Sequence, residues 1–490
     1  MNRPVRRVAL AVMVMVVILL GNVTYVQVVK AGEYRDDSRN QRTQIDEYSR
    51  PRGQITAGGQ VLAQSIDTGK GRLRYQRQYP EGPAFSPVTG YLSTFYGNGG
   101  LERSSDAVLS GTDDRLFVRR LSDLITGRDP AGGNVVTTID PEVQKTAYDK
   151  MNEEGYTGAV VALNPQTGDI LGMVSTPSYD PNPLASPDSG NQQDAWKKYG
   201  NEEPSPLVNR AIGDIEPPGS TFKLVTTAAA LQNGFTPDSQ LTAAKNIQLA
   251  DSTTTLENYN GTPCGGGATA SLREALARSC NTAFAQLGGQ LGGDKLRAQA
   301  EAFGVGRTDL QIPMPVAASQ VGPMADTPSV QQSAIGQRDV RLTPMQLAMI
   351  GGSIANGGQT MAPHLIKEIQ SAQLDVVDTT EPDRMARSMP ADTARTLTDL
   401  MVGSENRTQG GGKITGVQIA SKTGTAEHGT DPKNTPPHAW YVAFAPAENP
   451  KVAVAVLVEN GGNRALEATG GSVAAPIGRA VIAEALRDAQ

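Results

Sequence analysis

By the spacing of its apolar positions, the 490-residue chain divides into an unbroken apolar run, a long polar stretch, and a segment whose period switches from strand to helix and back to strand. Val8 to Val29 has Asn22, Thr24 and Gln27 as its only clearly polar residues, and about 20 apolar residues let a helix cross a bilayer. Ala31 to about Gly133 is polar, rich in turn residues and broken by glycines, with short strand-like pieces such as Arg72 to Tyr75. Its charged residues from Glu33 to Asp46 predict a stalk leaving a membrane or a solvated helix face. From Asn134 the pattern tightens. Val135 to Ile139 is β-rich, Pro141 to Met151 has helical spacing, and Gly158 to Leu163 and Ile170 to Val174 are apolar strands. The turn residues from Asn164 to Asp169 predict that these two strands form a hairpin.

The next stretch, Glu216 to Gly234, organises the remainder of the chain. Pro217, Pro218 and Gly219 belong ahead of a helix rather than inside one, and Ser220 is a favoured cap, so the helix is predicted to begin at about Ser220. Leu224, Val225, Ala228, Ala229, Ala230 and Leu231 make it apolar almost all round, hence buried, and Asn233-Gly234 stops it. The chain to about Asn356 is mainly helical, with a capping-box pattern at Ser271-Leu-Arg-Glu274 and another apolar helix over Leu342 to Ile354. Strands return at Val417 to Ala420, Ala439 to Phe444 and Val452 to Val458, and Val473 to Leu486 closes the chain as a helix. Strands, helices and strands again with short connections predict an α+β fold, a largely antiparallel sheet with helices packed on it. Gly265 to Gly267 and Gly410 to Gly412 read as mobile loops, and no nucleotide-binding glycine loop precedes a helix.

Charge changes the picture little: 19% charged residues and a net charge of −6 point to no nucleic acid partner. Position of charge matters more. Arg3, Arg6 and Arg7 ahead of the apolar run predict that residues 1–7 stay in the cytoplasm, residues 8–29 anchor the chain in the cytoplasmic membrane, and the remainder is exported. A cleavable signal peptide is the rival, since Val8 to Leu20 has the length of its apolar part, but no Ala-x-Ala site follows. The exported chain divides into a non-catalytic module, 30–133, and a larger domain, 134–490. The histidines are His364, His428 and His438, without metal-ligand spacing. Cys264 and Cys280 are the only cysteines. Outside the cytoplasm they are either a disulfide or a small buried Cys280 and an exposed Cys264 thiol.

Candidate chemistry lies in three short motifs. Ser220-Thr-Phe-Lys223 sets a hydroxyl and an amine on one helical face, where the amine can take the hydroxyl proton and the helix N-terminus favours developing negative charge. Alone, the same pattern fits a capping serine and a lysine reaching out of the core. Ser279-Cys-Asn281 falls where one helix, Ser271 to Arg278, gives way to another, Thr282 to Leu287. Ser279 can relay a proton and Asn281 can bind a substrate amide, or either can cap a helix. Lys422-Thr-Gly-Thr425 continues a strand, with Gly424 open to a ligand backbone and Lys422, Thr423 and Thr425 forming a polar patch suited to a carboxylate. The backbone N–H groups of Ser220 and Thr425 are candidates for the oxyanion hole of an acyl transfer.

In this order the three motifs resemble the set shared by penicillin-binding proteins and serine β-lactamases, with Cys280 where the usual second motif has Asp. Over essentially its whole length the chain resembles class B penicillin-binding proteins, most closely those of the small actinobacterial A type. Arg52-Gly-Gln-Ile55 with Gly59 to Ala63, Gly100-Leu-Glu102 with Leu109-Ser-Gly111, and Thr138-Ile-Asp140 with Gln144 carry the resemblance in the first third. Asn209-Arg-Ala211, Gly336-Gln337, Leu342-Thr-Pro344 and His438-Ala-Trp440 carry it further on. The resemblance implies a penicillin-binding, β-lactamase-like transpeptidase domain behind a dimerisation-like pedestal module. It also implies attack by Ser220 on stem peptides ending in D-Ala-D-Ala, Lys223 as base, release of D-alanine, cross-linking by an amine acceptor, and acylation by β-lactam antibiotics. No metal or organic cofactor is implied. Because no glycosyltransferase domain precedes residue 134 and no further domain is expected at the C-terminus, an integral-membrane peptidoglycan glycosyltransferase and division or elongation proteins are the expected partners.

Two rivals remain at this level. A D,D-carboxypeptidase or β-lactamase would use the same acylation and give the acyl group to water. An idle β-lactam sensor or division scaffold would need none of the catalytic side chains, yet all are present.

Overall fold

A computed structural model describes residues 2–30, 49–69, 74–117 and 131–487. The expected stalk over Glu33 to Asp46 lies outside these, as do Arg72 and Leu73 of the first expected strand, and a strand begins at Tyr75. Asn2–Thr24 is α-helical and widens into a π-helical turn at Tyr25–Val29. The span Arg3–Val29, 27 residues, is long and apolar enough to cross a membrane and buries none of its surface against the protein. Apolar surface of that extent needs a cover, and one such helix at the N-terminus fits a single-pass anchor.

The first module is built on a six-stranded sheet ordered Val376–Thr379, Ile366–Gln370, Asn134–Thr137, Ile55–Ala57, Gln60–Asp67, Tyr75–Gln78. Ile55–Ala57 pairs antiparallel with Gln60–Asp67 and parallel with Asn134–Thr137. Two of the strands come from far along the chain, so this sheet crosses residue 133, where composition changes. Under it lies a buried carboxylate: Glu102 accepts from Arg52 at 2.7 Å and Arg77 at 2.6 Å. Burial alone would push the Glu102 carboxyl up, but Arg77 and Arg52 together outweigh it and hold the group below the ordinary carboxylate range.

The larger domain contains a five-stranded sheet, antiparallel throughout. Its strands are β1 (Gly158–Leu163), β2 (Ile170–Thr176), β3 (Ala420–Ala426), β4 (His438–Ala445) and β5 (Val452–Val458), in the order β3-β4-β5-β1-β2. The central strands are buried on both faces, which is why β5 reads Val-Ala-Val-Ala-Val-Leu-Val without polar alternation. Trp440, Val442 and Phe444 face one core, with Phe222, Leu224 and Val225, while Tyr441, Ala443 and Ala445 face the other. The helices around the site and behind the sheet are α1 (Lys223–Gln232), α2 (Leu272–Arg278), α3 (Asn281–Leu291), α4 (Pro344–Ala355), α5 (Ala391–Arg407) and α6 (Ala475–Arg487).

Several boundaries differ from the pattern-based ones. Ser220 does not cap an α-helix: Gly219–Phe222 is a 3-10 turn, and α1 proper starts at Lys223. Ser271 accepts from Glu274 N at 3.2 Å, but the reciprocal half of the capping box is absent because the Glu274 carboxylate is drawn to Arg278 and Arg407. β3 begins at Ala420 rather than Val417, whose N–H closes a turn on Ile414 O at 3.4 Å. The helical middle is interrupted by two short antiparallel pairs, Gln240–Thr242 with Thr269–Ser271 and Asn246–Gln248 with Thr255–Glu257. Gly410 to Gly412 is no loose loop at its first two residues, since Arg479 Nη1 donates to the carbonyls of Gly410 and Gly411, both at 2.8 Å.

Candidate active site

The 3-10 turn that carries Ser220 is held from four sides. Gly219 N donates to Gly336 O at 3.0 Å, and Glu216 exchanges backbone hydrogen bonds with Leu342 at 2.9 and 3.0 Å. Trp440 Nε1 donates to Pro217 O at 2.9 Å. His438 Nδ1 accepts from Asn460 N at 3.2 Å, so its Nε2 carries the hydrogen that faces Glu216 Oε2 at 3.3 Å. These contacts account for the Gly336-Gln337, Leu342-Thr-Pro344 and His438-Ala-Trp440 patterns. Gly219 adopts φ +52°, and a Cβ there would lie 2.9 Å from Thr425 O, so the turn abuts β3 at Thr425. A 3-10 turn eclipses residues three apart, which keeps Ser220 and Lys223 on one side.

Lys223 is fully buried, and its Nζ donates to Asn281 Oδ1 at 2.7 Å and to Ser279 O at 2.8 Å, with Ser279 Oγ at 3.5 Å. It makes no hydrogen bond to Ser220, whose half-buried Oγ bonds to no described residue. The Phe284 ring lies 5.4 Å from the amine. Burial first, and the positive charge of Lys422 second, hold the Lys223 ammonium well below the ordinary lysine range. Lys422, 1% exposed, donates to Ser279 Oγ at 2.8 Å and to Thr423 O at 2.9 Å, and burial brings it down to about 7. Two buried lysines therefore converge on one serine hydroxyl, from residues 56 and 143 positions away in the chain.

Ser279 reaches that point because α2 ends on it in the left-handed region, φ 61° and ψ 41°, and Asn281 then opens α3. Asn281 Nδ2 donates to Glu257 O at 3.0 Å, so both ends of its amide are engaged within the protein. The intervening Cys280 is bonded to Cys264, with Cα atoms 5.7 Å apart, which ties the Gly265 to Gly267 segment to this corner.

On β3 the period of two separates what the sequence grouped together. Lys422 and Gly424 lie on the face turned to α1, and Thr423 and Thr425, half-buried, on the other. Lys422 thus leaves the strand on the opposite side from the two threonines, and its amine meets Ser279 Oγ. The space beside Gly424 is taken by the protein itself, since a Cβ there would meet Pro218 O at 2.7 Å and Thr221 Cγ2 at 3.0 Å. Sequence reasoning missed Asn258, Glu257, Phe284, Pro217 and Glu216 as surroundings of the site. Of these only Glu216 and Pro217 carried a signal, their place just before Ser220.

Residues 158–483 match the penicillin binding protein transpeptidase domain, and residues 52–135 match the penicillin binding protein A dimerisation domain. The chain belongs to the penicillin-binding protein transpeptidase family. It is 58% identical to the peptidoglycan D,D-transpeptidase PbpA of Mycolicibacterium smegmatis, covering 100% of both chains. It is 55% identical to PbpA of Mycobacterium tuberculosis, covering 99% of both. The M. tuberculosis penicillin-binding protein A solved as a ceftriaxone acyl-enzyme complex superposes with a TM-score of 0.89 at 56% identity, over 90% of this chain and 100% of that one. Its penicillin G acyl-enzyme complex gives 0.86 at 55% identity, over 89% and 100%.

Proposed function

We propose that this chain is a peptidoglycan D,D-transpeptidase that works through an acyl-enzyme on Ser220. The observation that carries this reading is the hydrogen bonding of Lys223. A neutral amine has two hydrogens, and the short bonds to Asn281 Oδ1 and Ser279 O use both. The nitrogen lone pair is left for the Ser220 proton on the shared side of the turn. Ser220 Oγ attacks the carbonyl of the penultimate D-Ala, its proton passes to Lys223, and the carbonyl electrons move onto oxygen between the N–H groups of Ser220 and Thr425.

Collapse of that intermediate breaks the C–N bond. The proton returns to the departing D-alanine nitrogen by way of Ser279, whose Oγ lies between the two lysines. An acceptor amine on a neighbouring stem peptide then attacks the ester, loses its proton by the reverse route, and frees Ser220 with a new amide. Because β3 is the edge strand of its sheet, the Thr423 and Thr425 hydroxyls reach around that edge to the substrate's terminal carboxylate, and the second Nδ2 hydrogen of Asn281 is donated to a substrate carbonyl. β-Lactams enter by the same first step, as the acyl-enzyme complexes of the M. tuberculosis relative do. Transfer to water alone or an idle scaffold is not favoured, since the relatives of full-length similarity are named as transpeptidases.

In this reading the N-terminal helix spans the cytoplasmic membrane with Arg3, Arg6 and Arg7 inside, and the catalytic domain works outside. An integral-membrane glycosyltransferase supplies the glycan strands. The test is covalent labelling of the full-length protein with a fluorescent penicillin, followed by peptide mapping. Labelling on the Ser220 peptide, abolished in Ser220→Ala, is expected; a labelled Ser220→Ala protein would overturn the assignment.

A further inference from the structure

Helix α3 opens with Asn281 of the site, and its first free N–H groups need an acceptor. The position before the helix is Cys280, whose sulfur is committed to Cys264, so no side-chain cap comes from there. The acceptor comes from another segment. Asn258 Oδ1 takes Thr282 N at 3.0 Å, from 24 residues upstream, and lies 3.2 Å from Thr282 Oγ1, whose single hydrogen has Ala244 O nearer at 2.8 Å. Asn258 is 7% exposed, and its Nδ2 donates to Ala244 O and Thr262 O, both at 3.1 Å. Both ends of its amide are therefore fixed, as a buried amide requires.

The residue before it supplies the carbonyl that Asn281 Nδ2 uses, Glu257 O at 3.0 Å. That bond decides which end of the Asn281 amide faces Lys223. With Nδ2 on Glu257, Oδ1 is turned to the amine; a flipped amide would aim a donor at a donor. One short segment thus holds the start of α3 through Asn258 and the orientation of Asn281 through Glu257.

We propose that Asn258 is a positioning residue for acyl transfer: by capping α3 from outside the helix it keeps Asn281 turned toward Lys223 and Lys223 aligned with Ser220. This rests on the acyl-enzyme reading of Ser220. Asn258 itself touches no reacting atom. Its effect travels through Thr282 and Asn281, so it must vanish when Asn281 is gone.

The experiment is stopped-flow acylation of the full-length protein by a fluorescent penicillin. Asn258→Ala is expected to lower the acylation step on the order of tenfold, the scale of a sub-ångström misplacement, with the initial binding constant unchanged. In the Asn281→Ala background the same substitution should change nothing further. The rate against pH should also change, with its ascending limb moved upward as water reaches the amine, since Lys422 is the charged group whose field bears on Lys223. Asn258→Asp keeps an acceptor for Thr282 N but sets its second oxygen against the Ala244 and Thr262 carbonyls, so it should regain only part of the plateau rate. If Asn258→Ala does not fold, Thr282→Val, which removes the hydroxyl shared between Ala244 O and Asn258 Oδ1 but leaves the backbone cap, should show a smaller loss of the same non-additive kind.

An equal loss in the wild-type and Asn281→Ala backgrounds, or a lowered Tm with an unchanged acylation rate, would overturn the inference. Absence of any Ser220 label in the wild type would instead defeat the reading on which it rests.

Discussion

Behind β3, on the face away from Lys223 and Lys422, sits a buried ion pair whose removal has a calculable effect. Glu405, 6% exposed, accepts from Arg479 Nε and Nη2, both at 2.8 Å onto Oε1, while its Oε2 takes Tyr441 Oη at 3.1 Å and the Ser421 hydroxyl. Arg479 is fully buried and also serves the Gly410 and Gly411 carbonyls. Arg479→Met would leave the Glu405 carboxylate with two neutral donors and no countercharge, which costs about 3–5 kcal/mol. The carbonyls of Thr408, Gln409, Gly410 and Gly411 lose the same donor, and the last three belong to exposed residues, where water replaces it at little cost.

Adding Glu405→Gln removes the stranded charge and keeps an oxygen for Ser421 and Tyr441, so the double variant should recover roughly 2 kcal/mol over Arg479→Met alone. The assay is urea unfolding followed by Trp440, one of two tryptophans and fully buried in β4, in a Trp196→Phe background. A single variant within about 1 kcal/mol of the parent, or a double variant less stable than the single, would refute the argument. Since Ser421 precedes Lys422, Arg479→Met should also slow acylation while leaving the Ser220 label in place.

Two more outcomes are expected at the site. Below its depressed pKa Lys223 is an ammonium and cannot take a proton, so acylation should rise with pH through that value and reach its plateau well below the ordinary lysine pKa of about 10.4; a limb at the ordinary value, measured by stopped-flow acylation, would contradict a buried neutral base. Reducing the Cys264–Cys280 bond opens a loop of 16 residues, worth about 3 kcal/mol in the chain-entropy picture, and should lower Tm and slow acylation without abolishing it, as calorimetry and penicillin labelling of reduced and alkylated protein would report.

What the sequence determines by itself is local or nearly so. An uninterrupted apolar run makes the Arg3–Val29 helix, two prolines and a glycine keep Ser220 out of a helix interior, and an all-apolar β5 must be covered on both faces. The three motifs are legible because each is short and bound to its own element, and their order carries the family. Tertiary structure alone decides the rest. Nothing within a few residues of Lys422 or Lys223 says that both amines meet on Ser279, because that depends on how β3, α1 and the end of α2 pack. The strand period of two, once the sheet sets which face is inward, takes Lys422 away from Thr423 and Thr425. Asn258 carries no motif at all: a side chain that caps a helix from 24 residues upstream gains its meaning only when the chain between has folded back. Local pattern fixes which elements form. Which unpaired donor is met by which distant acceptor is set by packing, where every buried polar group must find its partner.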